Sequence, residues 1–271
     1  MHLANRIVLV TGASSGIGAA TARAMSARGA TVLLVARRQA ALREVAASLP
    51  GRAEVYPCDV GDPDAVTAMA EAVVADVGVP DVIVNNAGAG RWLWIEETSN
   101  EEFLAQVAVP FHAAFFVTRA FIEPMLERGT GWVVNVNSPI SSVAWPGAMG
   151  YGAARWAMRG FDECLAADLR GTGIGVTAVV AGRTDSDYFE ANPGSLERVP
   201  SLDRFIRRLS PDDVASMIVR GVQGERRSVV GPVEVRLLTL TSQLSPRAVG
   251  WLLARTGATR HVRTGAPART P

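Results

Sequence analysis

The stretch from Ile7 to Gly18, IVLVTGASSGIG, decides the fold of this 271-residue chain. A short apolar run leads into three closely spaced glycines, and an alanine-rich helical pattern follows. Glycine lets the backbone turn tightly and approach a phosphate, and the free N–H groups of a helix N-terminus attract that anion. The strand before the turn and the helix after it favour a phosphate site over a glycine turn without a ligand. The predicted site residues are Gly12, Ser14, Ser15, Gly16, Ile17 and Gly18.

Outward from this turn, short β-branched runs alternate with longer alanine-rich stretches. The runs lie at 7–10, 31–35, 53–56, 82–84, 132–136 and 175–180, with a further candidate at 229–230. The helical stretches lie near 17–28, 39–48, 63–77, 101–127 and 152–170. Strands that are apolar without alternation are buried on both faces, which is typical of a parallel sheet. The pattern therefore predicts an α/β fold of the Rossmann type, a doubly wound parallel sheet of about seven strands with helices on both faces.

No internal repeat or linker interrupts the chain, so residues 1–271 are predicted to form a single domain. Residues 183–210 are polar and broken by Pro and Gly, which predicts a variable substrate or lid region. Residues 235–271 form a C-terminal extension whose first part, 235–256, is apolar. A lid, a subunit contact, a membrane-surface helix and ordinary packing all remain open for this extension.

Composition narrows the class of protein. The chain carries 27 basic and 26 acidic residues, a net charge of +1, and this balance predicts no nucleic-acid partner. Every basic residue is Arg. The two cysteines, Cys58 and Cys164, are too few for a disulfide scaffold or a zinc site, and they suit a cytoplasmic protein without a metal. No run of about 18 uninterrupted apolar residues occurs, so no membrane span is predicted.

The glycine spacing, T-G-x-x-x-G-x-G, resembles that of the short-chain dehydrogenase/reductase family. Further motifs that carry the resemblance are Asp59-Val60, Asn85-Asn86-Ala87-Gly88, Ser138 thirteen residues before Tyr151, and Ala181-Gly182 followed by Ser186. The resemblance implies an oxidoreductase that binds a nicotinamide dinucleotide. The residues implied to join the glycine turn in this binding are Asp59, Val60, Asn86, Ala87, Gly88, Gly182 and Ser186. It also implies a homodimer or homotetramer that shares the helices at 101–127 and 152–170.

The dinucleotide is predicted to be NADP(H). An acidic residue about 20 positions beyond the glycines marks NAD in such folds, because it binds the ribose 2′-hydroxyl. This chain has Arg37 and Arg38 there, and no acidic residue between Thr31 and Arg43. A guanidinium binds a 2′-phosphate with paired hydrogen bonds, whereas a carboxylate repels it, so Arg37 is predicted to bind the phosphate, with Arg38 as a second candidate. The alternative is that the two arginines only begin a solvated helix.

The resemblance implies a reaction centre at Ser138 and Tyr151. Tyr151 would exchange a proton with a carbonyl or alcohol oxygen that Ser138 holds by a hydrogen bond. The family has a Lys one helical turn after the tyrosine, which supplies positive charge and binds the nicotinamide ribose. Here that residue is Arg155, which keeps the charge and the donors but cannot give up its proton. Tyr151 and Arg155 thus belong to both the catalytic and the cofactor-binding set.

A second departure concerns the family's catalytic Asn, whose place Pro110 occupies. That Asn sits at a helix kink, and proline also produces kinks because it removes a helical hydrogen bond. His112 is a weak candidate to take over proton transfer, since a lone His on a helix more often packs or faces solvent. Two of the four family positions therefore match.

Four aromatic residues in segments that surround the substrate in the family are predicted to line the substrate site: Trp92, Trp94, Trp145 and Tyr188. An aromatic pocket suits a bulky apolar ketone or secondary alcohol. Core packing is the competing interpretation, because Trp is highly buried on average. Arg91 and Arg183 flank this cleft as candidates to bind a substrate acid, although surface roles suit them better.

Three functions remain open. An NADP(H)-dependent oxidoreductase is favoured by Ser138 and Tyr151. A sensor or scaffold that binds NADP(H) without redox chemistry is favoured by Arg155 and Pro110. The third is another reaction in the same pocket, such as isomerisation, elimination or cyclisation. The fold alone does not separate the three.

Overall fold

Seven strands form one parallel sheet in the computed structural model, which describes residues 1–88 and 90–259. They are β1 (Ile7–Thr11), β2 (Thr31–Ala36), β3 (Ala53–Pro57), β4 (Val82–Asn85), β5 (Gly131–Asn137), β6 (Ile174–Ala181) and β7 (Ser228–Gly231). Their order across the sheet is β3-β2-β1-β4-β5-β6-β7. Each predicted strand lies within an observed one, and the predicted α/β fold is confirmed.

Ten helices surround the sheet in the described part of the chain. They are α1 (Gly16–Ser26), α2 (Gln39–Ala47), α3 (Pro63–Asp76), α4 (Asn100–Val107), α5 (Ala113–Arg128), α6 (Met149–Asp168), α7 (Tyr188–Ala191), α8 (Pro211–Gln223), α9 (Val233–Leu244) and α10 (Pro246–Thr256). One core cluster joins the sheet to α1, α2 and α8, and a second joins it to α3, α5 and α6. The sheet is therefore covered on both faces, as a parallel sheet requires.

Side-chain caps fix where two helices begin. The Asp62 carboxylate accepts hydrogen bonds from the backbone N–H groups of Asp64 and Ala65, and Pro63 opens α3. Ser210 and Asp213 cap the start of α8, where the Ser210 hydroxyl accepts a hydrogen bond from the Asp213 N–H at 3.1 Å. Both helices begin with an Asp or Ser cap followed by Pro at the first helical position, an arrangement typical of helix N-termini.

The carboxyl ends of the strands meet at one edge of the sheet. Strand order reverses between β1 and β4, which pair from Val8 with Val82 to Val10 with Val84. In open α/β sheets a ligand binds outside the carboxyl ends at such a reversal. The glycine turn after β1 and the Asn-Ala-Gly segment after β4 both lie at this point.

The helix predicted at 101–127 is interrupted. A π-helical turn, Ala108–His112, separates α4 from α5 and contains Pro110. Proline has no N–H to donate, so the regular helical ladder is broken there. Residues Asn100–Arg128 are long and apolar enough to cross a membrane by length and composition, but a core helix meets the same test. Phe121 and Met125 of this segment are fully buried in the core.

The C-terminal extension is a pair of helices, α9 and α10, divided at Ser245. Val249 and Leu253 pack on Val143, whereas the outer side chains of both helices are exposed. Residues 260–271 of the predicted extension lie outside the described residues. The region 183–210 contains α7 and two short 3-10 turns, Leu196–Arg198 and Ser201–Phe205.

Candidate active site

The glycine turn leaves no room for side chains at two of its glycines. A Cβ at Gly12 would lie 3.0 Å from the Cα of Ala87, and Gly12 has a φ of +65°. A Cβ at Gly18 would collide with the Gly12 carbonyl and lie 2.8 Å from Nδ2 of Asn86. Gly16 has a φ of +52°, which glycine tolerates best. The turn is thus a backbone cradle at the N-terminus of α1, which is a favourable site for an anion.

Replacing Gly18 with alanine is expected to destabilise the protein by about 2–3 kcal/mol, because the new methyl group collides with backbone atoms. Gly160→Ala is the matched control, since a Cβ there meets nothing within 4 Å. In the middle of α6 that control is expected to stabilise by up to about 1 kcal/mol. Urea unfolding of the two variants measures both effects, and equal stabilities would contradict the prediction.

Hydrogen bonds join the glycine turn to the segment after β4. The Thr11 hydroxyl accepts from the backbone N–H groups of Asn86 and Ala87, each at 3.0 Å. The Asn86 amide donates to the Thr11 carbonyl at 3.0 Å. The two segments that sequence analysis assigned to one site are therefore in direct contact.

Two arginines, Arg37 and Arg38, follow β2, and Arg38 contacts the glycine turn. Nη2 of Arg38 lies 3.2 Å from the Ser14 hydroxyl and 3.4 Å from the Ser15 hydroxyl. Arg37 is exposed. Asp59 is exposed after β3, where its carboxylate accepts from the Gly61 N–H at 3.0 Å. A guanidinium, two hydroxyls and a helix N-terminus together make a site that suits a phosphate.

The segment after β6 lies beside the glycine turn. The Gly182 N–H donates to the Gly231 carbonyl at 2.8 Å, and a Cβ at Gly182 would lie 2.8 Å from Cδ of Pro232. Four residues on, Cβ of Ser186 would lie 3.6 Å from a Cβ at Gly16. Ser186 therefore lies over the glycine turn, although it is far from that turn in sequence.

Tyr151 and Arg155 meet on α6, beside the end of β4. The Arg155 guanidinium carbon is 5.0 Å from the centre of the Tyr151 ring, and Nη1 donates to the Val136 carbonyl at 2.9 Å. A Cβ at Gly88 would lie 2.8 Å from Nη2 of Arg155. Arg155 is 8% exposed, and its Nε has no hydrogen-bond partner among the described residues. A buried cation thus lies against both the tyrosine and the Asn-Ala-Gly segment.

Ser138 directly follows β5 and begins the turn that packs on α6. Its backbone carbonyl accepts from the Ser141 hydroxyl at 2.7 Å, and its N–H donates to the Asn137 side chain at 2.8 Å. Ile140 of this turn belongs to the same buried cluster as Tyr151. The structure therefore brings all three predicted catalytic residues to one edge of the sheet.

Three of the four predicted substrate residues surround Tyr151. The Trp92 ring stacks on Tyr151 with ring centres 5.8 Å apart, and Trp145 meets Trp92 edge-on at 5.4 Å. The ring centre of Tyr188 is 6.0 Å from that of Tyr151. Trp94 lies elsewhere, near Arg198, whose guanidinium carbon is 5.9 Å from its ring centre. Because Tyr151 is only 6% exposed, the aromatic cluster is closed around it.

Buried hydrogen bonds hold this cluster closed. The Tyr188 hydroxyl donates to the Gly90 carbonyl at 2.6 Å and accepts from Nε1 of Trp92 at 3.2 Å. The Asn192 side chain accepts from the Gly90 N–H, and the Ser195 hydroxyl accepts from the Trp92 N–H at 2.9 Å. Burial raises the pKa of Tyr188 well above its ordinary value, so its hydroxyl keeps its proton. Asn192 and Ser195 are not among the residues predicted from the sequence.

Other candidates are placed outside the reaction centre or in packing roles. His112 packs between the rings of Phe111 and Phe116, at 5.5 and 6.0 Å. Arg91 forms a surface ion pair with Glu102 at 3.2 Å. Arg183 pairs with Asp203 at 2.9 Å and lies over the Phe189 ring, next to the aromatic cluster.

A polar chain that sequence analysis missed runs behind the site. The Asn85 amide donates to the Asn135 side chain at 2.8 Å, and the Asn135 amide donates to the Asp162 carboxylate at 2.6 Å. Burial raises the pKa of Asp162 to about 7, against opposing effects from Asn135 and Arg227. The signal in the sequence is a pair of asparagines inside otherwise apolar strands.

The chain resembles known proteins along most of its length. The sequence profile of the family described as short chain dehydrogenase matches residues 6–194. The chain is 33% identical over 265 residues to the probable oxidoreductase EphD of Mycobacterium tuberculosis, covering 92% of this chain. It spans only 44% of the length of that relative. It is 32% identical to the 3-oxoacyl-[acyl-carrier-protein] reductase FabG of Thermotoga maritima, covering 86% of this chain and 96% of the relative.

Solved structures share the fold. A short-chain dehydrogenase from Streptomyces avermitilis superposes with a TM-score of 0.80 at 32% identity, covering 90% of this chain and 95% of that one. A metagenomic short-chain oxidoreductase in complex with NADP gives 0.70 at 30% identity, covering 85% and 98%. A Burkholderia phymatum enzyme in complex with NAD gives 0.79 at 23% identity, covering 90% and 96%, and shows the fold alone.

Proposed function

The chain belongs to the short-chain dehydrogenase/reductase family, and from that premise we propose that it is an NADP(H)-dependent oxidoreductase of bulky apolar ketones or secondary alcohols. The observation that carries the proposal is the contact between Tyr151 and Arg155 beside Gly88. A hydroxyl-bearing ring and a buried cation lie next to the glycine turn, at the reversal of strand order. In this arrangement the tyrosine hydroxyl can transfer a proton, with the cation beside it, at a place that a bound nicotinamide ring can reach.

The residues of the glycine turn fit a dinucleotide. The cradle excludes Cβ atoms at Gly12 and Gly18, so the backbone can approach a pyrophosphate closely. Asp59, Val60 and the Asn86–Gly88 segment would hold the adenosine and the central part of the cofactor. The unpartnered Nε–H of Arg155 is a donor for the nicotinamide ribose. We keep Ser186 in the proposed set because it lies beside Gly16, and Gly182 because it directly follows β6 in the same segment.

Arg38 supports NADP(H) over NAD(H), since its guanidinium lies beside Ser14 and Ser15 with no acidic residue in the adjoining strand end. Replacing Arg38 with Gln is expected to weaken NADPH binding by at least about tenfold, the value of one charge-assisted phosphate contact, and to leave NADH binding unchanged. Titration of cofactor fluorescence measures both affinities. Arg43→Gln, an exposed change on α2, is the control; equal losses for NADPH and NADH in Arg38→Gln would contradict the assignment.

The reaction needs little from the chain beyond positioning and one proton. A bound nicotinamide supplies or accepts the hydride. The Tyr151 hydroxyl gives its proton to the carbonyl oxygen in reduction and recovers it in oxidation. The Ser138 hydroxyl donates a hydrogen bond to the same oxygen, and the Arg155 charge stabilises the tyrosinate that remains. Because Arg155 holds its own proton, the proton that restores Tyr151 must come from water or substrate.

Substitutions of Arg155 test whether its positive charge is needed for turnover or whether the altered motif works without a cation. If positive charge is its contribution, Arg155→Lys is expected to keep turnover within about tenfold, whereas Arg155→Met is expected to lower kcat by at least about 100-fold. Thermal unfolding of both variants controls for loss of the buried hydrogen bond to Val136. Equal activity in the Lys and Met variants would remove the cation from the mechanism.

The aromatic cluster supports an apolar substrate. Trp92, Trp145 and Tyr188 offer flat apolar surfaces against Tyr151, and the FabG relative is named for a 3-oxoacyl reduction. Substrate must displace the segment from Tyr188 to Ser195, which the hydrogen bonds to Gly90 and Trp92 now hold in place. Trp94 lies beside Arg198, outside this cluster, and stays a candidate only.

The proposed function is tested by an assay of NADPH oxidation, monitored by absorbance, with bulky apolar ketones, quinones and long-chain 3-oxoacyl thioesters as substrates. Turnover of at least one ketone class supports the proposal. Tight NADPH binding with no turnover across the panel would favour the second candidate, a sensor or scaffold. That candidate is favoured by the closed cluster, in which Tyr151 is 6% exposed. Product formation without net NADPH consumption would indicate another reaction type.

The proposal also includes the assembly of this chain into a homo-oligomer. Phe115 on α5 and Trp156 on α6 are large apolar residues that are nearly half exposed, at 47% and 46%. They support a homodimer or homotetramer that shares these helices. We retain a single domain, a cytoplasmic location and a small-molecule substrate as predictions.

A further inference from the structure

The outer surface of α9 and α10 is apolar to an unusual degree. Large exposed side chains recur on α9 at intervals of four, three and four residues: Val233, Leu237, Leu240 and Leu244. This spacing aligns them along one face of the helix. Trp251 and Leu252 extend the exposed apolar area onto α10. We name these six residues the C-terminal apolar surface. Contiguous apolar patches of this kind mark interaction surfaces.

The same part of the chain is strongly basic. Residues 233–271 carry six of the 27 arginines and one of the 26 acidic residues, a net charge of +5 in a chain whose total is +1. The arginines are Arg236, Arg247, Arg255, Arg260, Arg263 and Arg269. The first three are exposed on α9 and α10, and the Arg255 guanidinium carbon is 4.5 Å from the Trp251 ring centre. The remainder of the chain is acidic overall, so the charge is segregated.

We propose that the C-terminal apolar surface binds an anionic lipid membrane surface. Helices with Leu and Trp on one side and Arg nearby lie in the interface plane, with their apolar side chains at the boundary of headgroups and acyl chains. Each arginine close to an anionic bilayer strengthens binding about fivefold. Apolar area and excess positive charge are both needed for such binding, and this segment supplies both.

Charge argues against two other occupants. In a two-fold dimer the same surface meets itself, so the arginines of one copy would oppose those of the other. Residues 260–271 are a poor cover for the patch, because Val262 is their one large aliphatic residue and three of them are Arg. An anionic bilayer is the occupant that the positive charge attracts.

The inner side of the same helices reaches the aromatic cluster. Val249 and Leu253 pack on Val143, with Trp145 against this group. Trp145 contacts Trp92, which stacks on Tyr151. A bilayer bound to α9 and α10 would thus lie one helix layer behind the candidate active site. The membrane inference itself does not depend on the proposed oxidoreductase function.

Sedimentation of the full chain with lipid vesicles tests the proposal. Vesicles of phosphatidylcholine with about 30% phosphatidylglycerol are expected to bind at least about tenfold more protein than pure phosphatidylcholine vesicles. Raising the salt from about 0.1 M to about 0.5 M should reduce this binding several-fold, because salt screens the arginines. No binding to either vesicle would overturn the proposal.

Substitutions test whether the C-terminal apolar surface is the part of the chain that binds the vesicles. Leu237→Glu with Leu244→Glu is expected to lower binding to anionic vesicles at least about tenfold. The matched control is Val74→Glu with Leu126→Glu, which makes the same charge change at exposed positions on α3 and α5. Arg236→Gln, Arg247→Gln and Arg255→Gln together should weaken binding without altering an apolar residue. Thermal unfolding confirms that each variant folds.

Three results would refute the assignment. Equal losses in the Leu237/Leu244 variant and in the Val74/Leu126 control would show that the C-terminal apolar surface is not the binding site. Full binding by the triple arginine variant would show that its charge plays no part. Dissociation of an oligomer by the Leu237/Leu244 variant, with no vesicle binding by the unaltered chain, would show that a second copy covers the surface instead.

Discussion

Replacing Tyr151 with phenylalanine is expected to lower kcat for NADPH-dependent ketone reduction by about 10³-fold, the usual contribution of a positioned acid. The ring would still stack on Trp92 and lie under the Arg155 guanidinium, because neither contact uses the hydroxyl. NADPH affinity should therefore change by less than about threefold. Steady-state kinetics and a separate cofactor titration measure the two effects.

Tyr188→Phe is the matched control for this prediction. Tyr188 is the second tyrosine in the cluster, with a ring centre 6.0 Å from that of Tyr151. It is a poor acid, because its hydroxyl already donates to the Gly90 carbonyl and burial raises its pKa. Losing that hydrogen bond should alter KM more than kcat, since it holds the substrate region closed. If Tyr188→Phe abolished turnover and Tyr151→Phe did not, the two roles would have to be exchanged.

The seven strands could be predicted because each is an apolar run flanked by turn residues. Such runs have one stable place in an α/β fold, which is the middle of a sheet covered on both faces. The glycine turn was equally predictable, since Gly12 and Gly18 are fixed by steric conflict with the neighbouring backbone. Pro110 predicts a kink, but nothing in the sequence specifies the π-helical form that the interruption takes.

Contacts between distant residues were harder to predict. Trp94 is two residues from Trp92, yet its ring lies beside Arg198, whereas the Trp92 ring stacks on Tyr151. The hydrogen bonds of Asn192 and Ser195 join backbone groups about 100 residues away, and polar residues in a loop carry no sign of such partners. The same reason applies to Asn85 and Asn135, which meet only because β4 and β5 pair in that register.

The hydrogen-bonded side chains Asn85, Asn135 and Asp162 are expected to make stability fall as pH rises from about 4 to about 7. Asp162 is 1% exposed, and one of its carboxylate oxygens has no hydrogen-bond partner among the described residues. Burial raises its pKa from the ordinary 3.8 to about 7 in the folded protein. The folded state therefore binds a proton that the unfolded state releases near pH 4, so stability is lost between about pH 4 and pH 7.

The loss amounts to about 4 kcal/mol, since one pKa unit corresponds to about 1.4 kcal/mol. Asp162→Asn should remove this slope, because an amide keeps the acceptor for Asn135 and carries no charge. Above pH 7 the variant should be more stable than the unaltered chain. Glu163→Gln is the control, since Glu163 is exposed and pairs with Arg227 at the surface. Urea unfolding at several pH values measures the difference between variant and unaltered chain, which cancels the contributions of all other groups. Parallel curves from pH 4 to pH 8 would mean that Asp162 is ionised in the folded protein, and that Arg227 and Asn135 together outweigh its burial.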